Sequence, residues 1–170
     1  MNLSDSFKDG RYGWQWANWK LSGRSPAGSD LNLYLATAQD RSYLTEVSVR
    51  LKKDGRAGML LFYDEQAFAG VIADKSGLTV WRNASESETM DNRFGRRFRI
   101  KIFNYNNRVQ IAVRRPLARR WTVIASDIDV SGMHHNNYAG FYALRIGLAS
   151  DAAFPCCFRD FTYRKYYPSR

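Results

Sequence analysis

The sequence predicts an all-β protein, an antiparallel β-sandwich, and three observations support this fold class. The 170-residue chain contains about a dozen short apolar runs with turn residues every 8 to 12 positions, which is typical of sandwiches and barrels. No apolar stripe with the helical period interrupts these runs. A chain of this length can bury roughly 70% of its unfolded surface, so we expect one domain spanning residues 1–170.

The predicted strands of the central region are short runs of alternating or continuous apolar residues. They cover residues 31–36, 45–52, 57–64, 68–74, 78–83, 98–105, 109–115 and 121–126. Turn sequences such as Lys53-Asp54-Gly55 separate them. The polar segment 83–92 (NASESETMDN) predicts an exposed loop rather than a strand.

The segment 131–163 combines core signals with candidate site residues. Its first part is rich in turn formers, which places His134 and His135 in a loop at the mouth of a strand over 140–149. Arg145 lies within that otherwise apolar strand and requires a polar partner. Residues 158–163 contain three aromatic side chains and predict a further strand.

Cys156 and Cys157 are adjacent in the sequence, so a disulfide between them would not close a structural loop. We predict one packed and one exposed reduced thiol within a strand. A vicinal disulfide and metal ligation are the alternatives, although no further cysteine or nearby histidine completes a ligand set.

Several short motifs, taken in order, resemble the concanavalin A-like β-sandwich at the C-terminus of family 43 glycoside hydrolases, the β-xylosidase and arabinofuranosidase group. The motifs are Ser131-Gly132-Met133-His134-His135-Asn136, Gly140-Phe141, Leu144-Arg145, the segment 158–163 (FRDFTY), the segment 57–65 (AGMLLFYDE) and Ala67-Phe68-Ala69-Gly70. The resemblance covers nearly the whole chain. It implies a jelly roll of the lectin/glucanase type and a non-catalytic, carbohydrate-associated module, because the catalytic carboxylates of those enzymes lie in a separate propeller domain.

A module of this kind would bind a sugar ring by stacking it on an aromatic face, with Asn, His and Arg side chains as hydrogen-bond donors. Trp19 is a candidate because its strand parity differs from that of Trp14 and Trp16. The aromatic residues are also good core residues, and that alternative stays open. The candidate sugar-binding residues are Trp19, Tyr63, Trp81, His134, His135, Asn136 and Arg145.

Strong basicity supports a second interpretation. The formal net charge is +10, and residues 93–120 contain nine arginines, Lys101 and no acidic residue. Apolar and cationic residues alternate there, so one face of the predicted hairpin is apolar and the other cationic. Such a face is either simply solvated or binds nucleic acid, acidic polysaccharide or an acidic protein. The candidate residues are Arg97, Arg99, Arg114, Arg115, Arg119 and Arg120.

Catalysis by this chain alone is the third and least supported interpretation. Glycosidases generally need two carboxylates about 5 to 10 Å apart, and the chain has four glutamates, none in the strand pattern of the sandwich-fold glucanases. Asp127 and Asp129, with His135, are what remains for a small glycan hydrolase or lyase. We therefore expect no self-sufficient enzyme.

A structural calcium ion is the one cofactor that the sequence leaves open, held by Asp5 and Asp160 if the terminal strands pair. The N-terminus lacks the basic and apolar regions of a secretory signal, and no apolar run approaches the ~20 residues that span a bilayer. We therefore expect a cytoplasmic protein, or a piece of a longer chain, that does not contact membrane. Its expected partner is an oligosaccharide or a glycosidase catalytic domain, with nucleic acid as the alternative.

Overall fold

Two β-sheets pack face to face in the computed structural model of the chain. The structure describes residues 2–3, 15–19, 31–38, 40–133, 144–154 and 156–167, the first two segments as backbone only. The strands in these residues are β1 (Asn2–Leu3), β2 (Gln15–Trp19), β3 (Leu31–Thr37), β4 (Tyr43–Arg50), β5 (Ala57–Asp64), β6 (Ala67–Ala73), β7 (Gly77–Asn83), β8 (Glu86–Asp91), β9 (Arg97–Tyr105), β10 (Arg108–Arg114), β11 (Thr122–Asp129), β12 (Arg145–Asp151) and β13 (Cys157–Lys165).

One sheet has six strands in the order β1-β13-β4-β9-β10-β11, and the other has seven in the order β2-β3-β12-β5-β6-β7-β8. Neighbouring strands are antiparallel except for β1 and β13, which run parallel with Asn2 beside Cys157. The predicted all-β antiparallel sandwich is confirmed. The described residues contain no helix long and apolar enough to cross a bilayer.

The main core lies between the two sheets, and β4 and β9 of the six-stranded sheet alternate between buried and outward residues. In β4 and β9, Val47, Val49, Phe98 and Ile100 are buried, while the residues between them face outward. They pack in one cluster with residues of the seven-stranded sheet such as Leu61. Burying a side chain of this size contributes about 1.5–3 kcal/mol, so the alternation fixes which face of the sheet turns inward.

The seven-stranded sheet is buried on both faces in its centre. Residues 57–62 of β5 are all buried, as are the last six residues of β6. A second apolar cluster on the outer face includes Leu33, Leu60, Phe62 and Trp81. The near-continuous apolar runs of these strands therefore reflect burial on two sides.

The predicted loop over 83–92 is wrong, because most of that segment forms strand β8. Asn83 pairs with Glu86 across a two-residue turn, where its Oδ1 accepts hydrogen bonds from the backbone N and the hydroxyl of Ser85 at 2.9 and 2.8 Å. The strand lies at the edge of its sheet, with five of its six residues exposed. Charged, polar residues are common on edge strands, so polarity did not distinguish a loop from an edge.

The two cysteines form no disulfide, and Cys156 is buried as the predicted packed thiol, but it precedes β13, and Cys157 is half-buried rather than exposed. Burial raises the pKa of the Cys156 thiol, which keeps it protonated and unreactive. The predicted strand over 140–149 overlaps β12, and residues 134–143 lie outside the described residues. The expectation of one domain over 1–170 stays a prediction.

Gly58 in β5 provides a test of the tight contact between β5 and β6. A Cβ at this position would lie 1.8 Å from the carbonyl oxygen of Val71, which is backbone and cannot rotate away. We expect Gly58→Ala to lower the free energy of unfolding by about 1–3 kcal/mol or more, measured by denaturant unfolding. The control is Gly77→Ala in β7, where the nearest contact would be an ordinary 3.4 Å. Equal losses in the two variants would contradict this packing.

Candidate functional site: an arginine-rich sheet face

Arginines from four neighbouring strands share the outer face of the six-stranded sheet. Residues opposite each other in adjacent strands point to the same side. The register aligns Cys157, Arg50 and Arg97 in one row, and Arg159, Ser48, Arg99 and Arg114 in the next. We call the outward cations of this surface the basic face: Arg50, Arg97, Arg99, Lys101, Arg114 and Arg159. The turn 115–120, which carries Arg115, Arg119 and Arg120, follows β10 at its edge.

Arg99 is the structural arginine of the basic face. Its Nε donates to Glu46 Oε1 at 2.8 Å, and its Nη1 donates to Ser48 Oγ at 2.9 Å and to the Asp160 carbonyl at 3.0 Å. One guanidinium thus joins β9 to β4 and β13. Because Arg99 already has a carboxylate partner, it has little unsatisfied charge for a ligand.

Arg50, Arg97 and Arg159 differ from Arg99, because no carboxylate of the described residues lies within ion-pair distance of them. All three are exposed. Arg50 and Arg97 are also directly opposite each other in β4 and β9. No carboxylate of the described residues offsets the repulsion between their charges, which makes this part of the face attractive to an anion.

Trp121 lies against two cations of the basic face. Its ring centroid is 4.5 Å from Lys101 Nζ and 4.8 Å from Arg114 Cζ, which are cation–π distances. The indole therefore helps to hold both cations in place. Sequence reasoning treated Trp121 only as the start of a strand, and its position directly after Arg119-Arg120 was the available signal.

Two pockets lie at the end of the sheet where β9 begins and β10 ends. The first, which we call the arginine pocket, has a volume of about 230 Å³ and is bordered by Arg93, Arg114, Arg115 and Arg120. The second has a volume of about 260 Å³ and is bordered by Arg50, Arg97, Arg159 and Cys157, among others. Of the predicted basic residues, five therefore belong to the basic face or border a pocket, while Arg119 is an exposed residue of the turn. Their function stays a prediction.

Of the seven predicted sugar-binding residues, the structure describes the side chains of three, Trp81, Tyr63 and Arg145. Trp81 is 4% exposed in the second apolar cluster, with its ring centroid 5.5 Å from that of Phe68. Tyr63 packs against the main core on the opposite face of the same sheet. Stacking a sugar requires an exposed ring face, so we do not carry Trp81 forward as a platform. Arg145 is half-buried in β12, between Thr37 and Phe62.

The remaining sugar candidates are not tested by the structure. His134, His135 and Asn136 lie outside the described residues, and only the backbone of Trp19 is described, paired with Leu31. Sequence reasoning also missed a group of aromatic side chains at the other end of the outer face, formed by Phe103, Tyr105 and Tyr166, with centroids 5.0 to 6.2 Å apart. Tyr105 is 45% exposed. Its position before the Asn106-Asn107 turn was the available signal.

The Asp127–Asp129 pair offers no support for a glycan hydrolase or lyase. Both side chains are exposed and form ion pairs with Arg108. The distance from Arg108 Nη1 to Asp127 Oδ1 is 3.4 Å, and that from Arg108 Nη2 to Asp129 Oδ2 is 3.9 Å. A hydrogen bond from the Ser131 side chain, followed by one from its backbone and by the charge of Arg108, lowers the pKa of Asp129. A glycosidase general acid needs the opposite shift, since it must remain protonated near neutral pH.

Metal binding stays a prediction. The terminal strands β1 and β13 do pair, but Asp5 lies outside the described residues. Asp160 is exposed and has a left-handed φ of 53°, at the irregularity between Arg159 and Thr162. Within the described part of the chain, no three His, Cys, Asp or Glu side chains are grouped as metal ligands.

No family model matches the chain, and no curated protein matches it by sequence. Solved structures do share its fold. A xylan β-1,4-xylosidase from Bacillus halodurans has a TM-score of 0.62 and 14% identity over 94% of this chain and 34% of its own. A family 43 glycoside hydrolase protein from Bacillus licheniformis has a TM-score of 0.57 and 13% identity over 78% of this chain and 29% of its own. The carbohydrate-binding module CBM66 from Bacillus subtilis has a TM-score of 0.53 and 14% identity over 91% of this chain and 96% of its own.

The chain thus has a β-sandwich fold like that of family 43 proteins and of a carbohydrate-binding module, as the sequence motifs predicted. It spans about a third of the length of the two family 43 chains. At identities of 13% and 14%, the likeness concerns the fold. The narrower assignment to the concanavalin A-like type stays a prediction.

The opposed pair Arg50–Arg97 generates a stability prediction. Replacing one of two like charges that face each other across strands removes repulsion, so we expect Arg97→Gln to raise the free energy of unfolding by about 0.2–1 kcal/mol. The matched control is Arg164→Gln, because Arg164 is also exposed on this sheet but lies opposite Leu44. Urea unfolding at low salt measures both variants. A stabilisation of the same size in Arg164→Gln would assign the effect to net charge instead.

Proposed function

We propose that this chain is a non-catalytic β-sandwich module that binds an anionic oligosaccharide on its basic face. The observation that carries the proposal is the group of exposed arginines, Arg50, Arg97 and Arg159, that come from three adjacent strands without a carboxylate partner among the described residues. Opposed like charges lower the stability of a sheet. A bound anion would offset that repulsion, so the arrangement favours a ligand over a merely solvated surface.

An acidic glycan is the ligand class that best combines the fold with the chemistry of this face. The solved structures that share the fold include a carbohydrate-binding module and a xylosidase. Guanidinium groups pair with two oxygens of a carboxylate or sulfate at once, which lets a single substituent be recognised in a defined orientation. The two pockets of about 230 and 260 Å³ are smaller than typical small-molecule sites of about 300–1,000 Å³, so they suit charged substituents of a chain rather than a whole neutral sugar.

A supporting role beside a glycosidase domain is the related alternative, in which the basic face docks on an acidic protein surface. The chain's share of the family 43 chains, about a third, is compatible with such a role. We favour the oligosaccharide because the arginines border concave pockets, whereas protein docking uses broader surfaces of ~800 Å² per partner.

Single-stranded nucleic acid is the second candidate, and Trp121 is the observation that favours it. Proteins that bind single strands combine a cationic groove with aromatic rings on which bases stack. Trp121 lies among the cations of the basic face, but its ring is already engaged by Lys101 and Arg114. These cations compete with a base for the indole ring, so this candidate is less well supported.

The proposed module requires no catalytic cofactor and acts in the cytoplasm. A structural calcium ion between Asp5 and Asp160 remains part of the proposal. Melting the protein with calcium and with a chelator tests it: a higher melting temperature with calcium, lost in Asp160→Asn, is the expected result. Melting curves that do not respond to calcium would remove the ion from the proposal.

The function is tested by titrating the purified protein with three ligands: an oligogalacturonate, a neutral xylo-oligosaccharide and single-stranded DNA. Calorimetry gives the affinity, and the tryptophan fluorescence that is lost in Trp121→Phe reports on Trp121 among the five tryptophans of the chain. We expect the acidic oligosaccharide to bind, and Arg97→Gln to weaken binding by about threefold to tenfold, the range of one exposed charge contact. Arg164→Gln, which removes the same charge from the same sheet outside both pockets, should bind like the wild type.

The other outcomes separate the alternatives. Binding of the neutral oligosaccharide with no effect of Arg97→Gln would overturn the basic face as the site. Binding of DNA alone, weakening steeply with salt, would replace the glycan by nucleic acid. Equal losses in Arg97→Gln and Arg164→Gln would show attraction to net charge instead of a site.

A further inference from the structure

We infer that the arginine pocket binds a single oxyanion group, such as a carboxylate, a sulfate ester or a phosphate ester. The inference rests on the proposed function in one respect only: the larger molecule that would carry this group is an acidic oligosaccharide. The pocket lies between the segment 93–94 and the end of β10 with its following turn. Four of its seven lining residues are arginines, and none is acidic.

Arg114 is the fixed cation of the arginine pocket. Its Nη1 donates to the carbonyl of Ala118 at 2.8 Å, and its guanidinium lies 4.8 Å from the ring centroid of Trp121. Its Nε is buried and has no hydrogen-bond partner. Among the described residues Arg114 has no carboxylate partner. A half-buried cation with one unpaired donor is costly, and a bound anion would compensate the charge.

The two walls of the pocket are fastened by hydrogen bonds. Arg115 Nη2 donates to the carbonyl of Arg93 at 2.6 Å, which joins the walls directly. The backbone N of Ala118 donates to the carbonyl of Arg115 at 3.1 Å, closing the turn after β10. Asn92 fixes the other wall, because its Oδ1 accepts from the backbone N of Phe94 at 2.9 Å. A site held in this way needs little reorganisation when a ligand enters.

The size and charge of the pocket define the ligand group. At about 230 Å³ the pocket is too small for a typical whole ligand but ample for one charged substituent. Planar guanidinium groups bind carboxylate and tetrahedral oxyanions through pairs of hydrogen bonds, and chloride cannot form such pairs. We therefore expect selection for oxyanions over chloride at equal ionic strength.

Arg120 is the residue to change, because it borders the pocket and is exposed, so its loss leaves the fold intact. Arg119 is the matched control: it is the preceding residue, exposed, of equal charge, and does not border the pocket. The variants Arg120→Gln and Arg119→Gln therefore have the same net charge and differ in whether the lost arginine borders the pocket.

The experiment follows the arginine Nε–Hε signals of the ¹⁵N-labelled full chain during titration with sodium sulfate, phosphate or acetate. Sodium chloride at matched ionic strength is the reference, and Arg114→Lys assigns the Arg114 signal by its loss. We expect a saturable shift of the Arg114 signal with at least one oxyanion. We expect Arg120→Gln to weaken that binding by about tenfold, the size of one charged hydrogen-bond partner, and Arg119→Gln to leave it unchanged. The order of the three oxyanions identifies the substituent: acetate indicates a uronic acid, sulfate a sulfate ester and phosphate a phosphate ester.

An equal response to chloride, or equal weakening in the two variants, would overturn the inference, since either shows general attraction to a basic surface. A shift confined to signals other than that of Arg114 would also overturn it. The two proposals fail separately. If oxyanions bind in a way that depends on Arg120 but the acidic oligosaccharide does not bind, the pocket inference stands and the proposed glycan ligand is wrong. If the oligosaccharide binds equally well to Arg120→Gln, the basic face remains its proposed site and the arginine pocket is not part of that site.

Discussion

The strand register of the six-stranded sheet is the constraint on which both the core and the basic face depend. In β4, β9 and β10, a slip of one residue would turn the apolar core side chains outward and bury the arginines. The buried row that contains Ile100 and Val47 makes such a slip prohibitive. On the outer face, the hydrogen bonds of Arg99 to Glu46 and Ser48 fasten the same register. The arrangement of cations is thus a direct consequence of packing on the other side of the sheet.

The two sheets serve different purposes. The centre of the seven-stranded sheet is apolar on both faces, and its outer cluster contains the side chains of Leu60, Phe62 and Trp81. That face supports the fold and offers no exposed ring at Trp81. The six-stranded sheet has one apolar face and leaves the other to polar and cationic residues. The candidate site therefore lies on the outer face of the six-stranded sheet, which is not part of the apolar core.

Among the described residues, some arginines have a carboxylate partner and others do not. The chain neutralises Arg99 with Glu46 at 2.8 Å and Arg56 with Asp151 at 3.5 Å, so acidic partners are available in this fold. The end of the basic face near Arg97 and Arg114 has none among the described residues. Opposed like charges and buried unpaired donors both lower stability, and their concentration at two pockets is the basis of the proposed anion binding.

Local sequence determined the strands, the alternation of β9 and β10 and the cationic side of their hairpin, because strand periodicity is written in neighbouring residues. It also favoured free thiols at Cys156 and Cys157 over a vicinal disulfide, and the structure has both cysteines free. Only the tertiary structure decided that 86–91 is an edge strand, that Trp81 is buried and that Trp121 joins the cations. Each of these depends on which residues distant in sequence lie alongside, and composition carries no information on that. The arginine pocket is of the same kind, since its walls come from separate segments that meet only when the sheet forms.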